Sequence, residues 1–190
     1  QVLNMLNAKY FIQPDASGPK ALRNPDALGN VWFVEEVKWV KGPVEEMKAL
    51  YDFDPAHTAV IDEQWKSNIG SFVGKSADST AYIRQKSFDN DKIVYESSSS
   101  VPMLAVFSEV YYKDWKAYID GQPAPYAKSN YVLRAMVVPA GKHEITFAFE
   151  PTIYHFGNKL SMISGWIVSL MTLGWLIFGA WKLRKKENLA

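Results

Sequence analysis

The feature that most constrains this chain is the run from Leu160 to Trp181, LSMISGWIVSLMTLGWLIFGAW, which holds no charged residue. As a helix it rises about 33 Å at roughly 1.5 Å per residue, enough to cross a hydrocarbon core of about 30 Å. A helix packed in a soluble core keeps a polar face, whereas this run is apolar all round, so residues 159–183 read as a transmembrane helix. The competing reading is a helix of a soluble protein, buried by swapping or in an oligomer.

Lys159 stands at one end of the run, while Lys182, Arg184, Lys185 and Lys186 crowd the other. The positive-inside bias keeps the richer flank in the cytoplasm. Residues 184–190 are therefore expected to be a cytoplasmic basic tail and residues 1–158 an extracytoplasmic β-rich domain. Trp166 and Trp181 fall towards the ends of the span, where indole rings settle among headgroups, and Trp175 lies deeper. Ser161, Gly165 and Ser169 recur every fourth residue and share a face. They form either a seam for other transmembrane helices or the ordinary scatter of small residues in such helices.

The helix also accounts for the charge balance. Its five flanking cations against Glu187 leave residues 159–190 at +4, so with a total of +1 the first 158 residues carry −3. A mildly acidic domain has no electrostatic footprint for phosphates, which argues against a nucleic-acid partner. With no cysteine, disulfides, cysteine zinc sites and thiol nucleophiles are excluded together. The chain starts at Gln1 without a basic stretch leading into an apolar signal core, and we expect further sequence upstream.

Before the helix the pattern is mostly that of strands. LNMLNAKYFI from Leu3 reads as a helical turn running into a strand, and Pro14 to Pro19 as a loop. VWFVEEVKWV from Val31 reads as one strand ended by Gly42-Pro43. Val44 to Tyr51 reads as a short amphipathic helix with Val44, Met47, Leu50 and Tyr51 on its apolar face. Thr58 to Ile61 is a short strand, and the polar stretch Glu63 to Ser79 a long loop. From Thr80 the alternation is steadily period-two, with hairpins expected at Gly121-Gln122-Pro123 and at Pro139-Ala140-Gly141. The expected fold is mainly β: a jelly-roll-like antiparallel β-sandwich, regular over residues 80–151, with one or two short helices.

Candidate chemistry is sparse. Asp89-Asn90-Asp91 fits an acidic metal and diphosphate pattern, but Asp and Asn between two strands read first as a turn. His57, His143 and His155 are too scattered for a metal pair, and there is no nucleophile elbow, P-loop or dinucleotide fingerprint. We therefore expect no catalytic residue, no metal and no cofactor in this stretch of chain. Trp115, Tyr118, Tyr126 and Tyr131 cluster with Asp120, Asn130 and Arg134, the mixture of flat apolar faces and polar groups that sugar sites use. The plainer reading makes the aromatics core or cross-strand pairs and gives Arg134 a salt bridge with Asp120 or Glu150.

Four runs carry a resemblance: LNMLNAKYFI from Leu3, NPDALGNVWFV from Asn24, WKAYIDGQPAP from Trp115 and NYVLRAMVVPAGKHEITFAFEP from Asn130. In this order they resemble the C-terminal region of the bacterial membrane protein YfhO family, over most of the chain. That resemblance implies a polytopic parent similar to GT-C-type glycosyltransferases, acting on a lipid-linked sugar for cell-envelope glycans. It places the chain in the bacterial cytoplasmic (inner) membrane, with its β domain on the outer or periplasmic side. It also implies membrane lipid, other transmembrane helices and a cell-envelope glycan or polyprenyl-linked sugar as partners. In such enzymes the catalytic acid lies in an early outer loop, so none is carried over to these residues. The alternative is a non-enzymatic, membrane-anchored glycan- or protein-binding scaffold module.

Overall fold

A computed structural model describes residues 1–16, 18–70 and 78–187. Residues 71–77 of the expected long loop and 188–190 of the expected basic tail lie outside them.

The chain opens with a helical turn, α1 (Val2–Met5), and the hairpin β1 (Tyr10–Gln13) and β2 (Lys20–Arg23). The run expected as one strand from Val31 is two, β3 (Val31–Val34) and β4 (Glu36–Val40). The break has a local cause: the amides of Glu35 and Glu36 both donate to the carbonyl of His57, at 2.9 and 3.0 Å, which turns the chain out of one sheet and into another. Helix α2 (Gly42–Ala49) starts with Pro43 in its first turn, and the Glu45 carboxylate accepts the Lys41 amide at 2.9 Å.

Of the apolar face expected for α2, Leu50 alone packs against the core. Val44, Met47 and Tyr51 are exposed, while Glu46 and Ala49 are buried. β5 (Thr58–Asp62) follows and pairs in parallel with β4; Asp62 then caps a turn of 3-10 helix that leads into α3 (Lys66–Ile69).

The remaining strands are β6 (Tyr82–Phe88), β7 (Lys92–Ser99), β8 (Met103–Phe107), β9 (Trp115–Ile119) and the two-residue β10 (Gln122–Pro123). β11 (Ala127–Ser129), β12 (Leu133–Val138) and β13 (Gly141–Phe149) complete the unit. They form two antiparallel sheets, one ordered β10-β9-β13-β7-β6 and the other β11-β12-β8-β3. The sheets face each other across Tyr95, Phe107, Phe147 and Met136, making a jelly-roll-like sandwich. Tyr95, Phe107 and Phe147 meet edge to face, with ring centres 4.9–6.3 Å apart.

The four-stranded sheet is covered on both sides. Its other face, with Leu104, Val106, Leu133 and Ala135, packs on β5, α2 and Met5. This explains why β8, MLAVF, is buried at every position and has no polar alternation.

A hairpin closes where one was expected, but its turn is Asp120-Gly121, both at positive φ, 50° and 78°, and Gln122-Pro123, expected in the turn, are the strand β10, with Ile119 opposite Gln122. Pro139-Ala140 closes no hairpin. β12 pairs with β8 and β11, β13 with β7 and β9, so this connection is an arch between the two sheets.

Pro151–Ala190 is a second compact unit, and its described residues hold one helix, α4 (Thr152–Glu187). Phe156–Gly179 is long and apolar enough to cross a membrane, with mean hydropathy 1.7 over residues that are not buried. Ser161, Gly165 and Ser169 recur along it. The Ser169 hydroxyl donates to the Gly165 carbonyl at 2.9 Å, so it is satisfied within its own helix.

Candidate functional site

An open cleft of about 430 Å³ lies where β9 and the segment leading to β11 meet α3. Three of the expected residues come together on its wall, Trp115, Tyr118 and Tyr126, joined by Trp65, Tyr111 and Asn68. Strand pairing puts Trp115 opposite Phe149 and Tyr118 opposite Thr146, so β13 fixes where both rings stand. Trp65 meets Tyr111 at 5.3 Å between ring centres, and Tyr111 meets Tyr126 at 5.5 Å, which makes a nearly continuous aromatic surface.

Tyr126 ties this surface together. Its hydroxyl donates to the Trp115 carbonyl at 2.8 Å, its ring stands edge-on to Phe147 at 5.4 Å, and its own carbonyl accepts Asn68 Nδ2 at 3.0 Å. Burial pushes the Tyr126 hydroxyl up to about 12, so it remains a donor and supplies no base. At the rim, the Tyr118 hydroxyl donates to Glu150 Oε1 at 2.9 Å, and Lys113 and Lys116 bring positive charge. Because that bond favours its protonated form, Tyr118 is also raised.

Arg134, Asp120, Asn130 and Tyr131 do not line the cleft. Arg134 is buried beneath it and forms neither of the salt bridges expected for it. Its Nε and Nη2 donate to the Val110 carbonyl at 3.0 and 2.9 Å, and its guanidinium stands 4.4 Å from the Trp115 ring centre and 5.1 Å from that of Phe147. Burial holds it below the usual arginine range, and burial raises the nearby Glu109 carboxyl. Arg134 thus supports the Trp115 ring from the protein side through a desolvated cation–π contact.

Asp120 sits in the β9–β10 turn. Oδ1 accepts the Glu144 amide at 2.9 Å and Oδ2 lies 2.6 Å from His143 Nδ1. The backbone bond and then the histidine hold its carboxyl below the usual range, and the aspartate in turn raises His143.

Asn130 is buried at positive φ and docks on β5: its amide donates to the Val60 carbonyl at 2.7 Å and its Oδ1 accepts the Val60 amide at 2.8 Å. It extends the parallel pair as a short strand would. Asp89-Asn90-Asp91 is the turn between β6 and β7, with the Asp89 amide donating to the Lys92 carbonyl at 2.8 Å.

Sequence reasoning missed Trp65, Tyr111 and Asn68. Trp65 was the one signal available, a large aromatic residue in an otherwise polar stretch, where a surface loop gives it little reason to be.

As a whole the cleft offers ring faces for the C–H side of a flat ring and polar groups at its edge for hydroxyls, the chemistry of a carbohydrate site. No family model, curated protein or solved structure matches this chain.

Proposed function

We propose that this chain is the extracytoplasmic domain and last transmembrane helix of a polytopic YfhO-like membrane protein of the GT-C glycosyltransferase type, and that its aromatic cleft holds the sugar portion of a cell-envelope glycan. The observation that carries the anchoring is Phe156–Gly179, a span of 24 residues whose apolar side chains lie exposed. The sequence places its cationic cluster after that span, which supports a cytoplasmic C-terminus and a β domain facing outward, on the outer or periplasmic side. The four resembling runs support the family, and the convergence of Trp65, Tyr111, Trp115 and Tyr126 on one cleft supports the sugar.

A second reading has its own support. The cleft binds through ring faces, with Glu150 engaged by Tyr118 and Tyr126 locked as a donor, an arrangement suited to holding a ligand without transforming it. This favours a non-enzymatic, membrane-anchored glycan-binding module. The reading frame upstream separates the two: a polytopic region with an acidic residue in its first outer loop supports the enzyme, and a lone signal peptide supports the module.

Calorimetric titration of the full chain in detergent with envelope oligosaccharides tests the cleft. Trp115→Ala is expected to weaken binding about tenfold, the loss of one ring stack of about 1.4 kcal/mol, while Tyr51→Ala on the exposed end of α2 leaves it unchanged. Equal binding by both variants overturns the sugar site. A protease that cuts a tag after Ala190 from outside intact cells overturns the orientation.

A further inference from the structure

The hairpin β1–β2 exposes side chains that a water-facing surface ordinarily covers. Tyr10 is 63% exposed, Ile12 78% and Leu22 41%, and none of the eight strand residues is buried. Cations are interleaved with them. The register sets Tyr10 beside Arg23 on the face that also carries Ile12, and Gln13 beside Lys20 on the opposite face with Leu22, while Lys9 precedes the first strand. At the base of the hairpin Lys9 and Arg23 line a recess of about 280 Å³ with Asn7, Tyr10 and Gly29. Among the described residues, none of the ion pairs engages Lys9, Lys20 or Arg23.

The charge of this hairpin opposes that of its surroundings. Lys9, Lys20 and Arg23 against Asp15 give it +2, within a stretch of 158 residues whose total is −3. Solubility does not call for cations concentrated on the same hairpin as exposed apolar side chains. An anionic bilayer surface does: lysine and arginine meet headgroup phosphates, while tyrosine and aliphatic side chains settle at the boundary below them.

We infer that the β1–β2 hairpin docks on the surface of an anionic phospholipid bilayer, with Lys9 and Arg23 on headgroup phosphates and Tyr10 and Ile12 in the interfacial layer. The inference rests on the membrane-anchored reading, because the same covalent chain then keeps the bilayer at high effective concentration. A few weak contacts are enough under that condition, and the attraction is screened by salt.

The chain has no cysteine, so Ile12→Cys gives a single site for an environment-sensitive fluorophore. The full chain is reconstituted in vesicles of phosphatidylcholine, with or without a third of phosphatidylglycerol, and floated on a density gradient. The expected result is flotation in both, with a blue-shifted emission quenched by lipid-borne quenchers in the anionic vesicles and a water-like emission in the neutral ones. The double variant Lys9→Gln, Arg23→Gln is expected to lower the docked fraction on the order of tenfold, as is high salt. The same fluorophore at Tyr51→Cys, 87% exposed on the domain's surface, reports water throughout.

A chain that does not float overturns both this inference and the membrane reading. A chain that floats with a water-like emission at residue 12 in anionic vesicles overturns the docking alone. So does quenching that ignores vesicle charge and the double variant.

Discussion

The β unit and the terminal helix place the same residue types in opposite surroundings. In the first, Phe107 and Phe147 are fully buried; in the second, Phe178 is 59% exposed and Leu170 63%. Polar groups differ just as sharply. The β unit buries charge and answers it: Glu46 is met by Lys128 Nζ at 2.9 Å and by the Tyr131 amide at 2.9 Å, and Arg134 by the Val110 carbonyl. The run Leu160–Trp181 carries no charge, and the hydroxyls of Ser164, Ser169 and Thr172 all bond back to carbonyls of their own helix, at 2.8–2.9 Å. Both regions keep apolar groups away from water, but the helix does so only if its solvent is lipid.

The comparison can be broken by making one kind of change in each region. Phe147→Ala is expected to destabilise the β unit by about 3 to 5 kcal/mol in chemical unfolding of the detergent-solubilised chain, because it opens a cavity against Tyr95, Phe107 and Tyr126. Leu170→Ala leaves no cavity within the chain and is expected to leave that unfolding transition unchanged. The reverse holds for charge. Leu170→Lys is expected to disfavour insertion by about 2.5 to 3.5 kcal/mol, read as loss of the membrane-integrated fraction after alkaline extraction. Integration that survives this change contradicts the transmembrane assignment.

Gly121→Ala, at φ 78° in the β9–β10 turn, sharpens the account of the β unit and is expected to cost about 1 kcal/mol in the same unfolding measurement. The smallest effect follows pH. Since Asp120 raises His143, the stability from this pair is fully present below the ordinary histidine value of about 6.5 and is lost as pH rises through the raised one. On the acid side it is lost as pH falls through the lowered Asp120 value. A series of unfolding midpoints from pH 5 to 9 is expected to fall on its alkaline side, and His143→Gln to flatten that slope.

What could be read in the sequence was what depends on near neighbours. The apolar run of α4, the alternation of β6 and the Asp120-Gly121 turn are each set by residues close together in the sequence. The burial of Glu46 is not, since its partners Lys128 and Tyr131 lie more than eighty residues further on, and an apolar-face argument puts Val44 and Met47 inside instead. The division of Val31–Val40 into two strands depends likewise on His57. Of the site, three aromatic positions were legible because they crowd around one turn. Trp65 and Tyr111 were not, because they reach the cleft only through tertiary packing. Asp120, Asn130 and Arg134 were drawn in by composition, and each is occupied with holding a turn, a strand edge or a ring.

The arch at Pro139-Ala140 has a consequence for how the chain acquires its shape. From β7 onward, β7 to β8, β8 to β9, β10 to β11 and β12 to β13 all pass from one sheet to the other. Neither sheet can therefore be finished while the other is absent, and β13, the last strand made, is the central strand of the larger one. Assembly from such distant pairings is slow relative to that of helical domains, on the order of milliseconds to seconds. A chain released before Phe149 would lack the strand that joins β7 to β9, so translation has to come to α4 before the domain ahead of it can close.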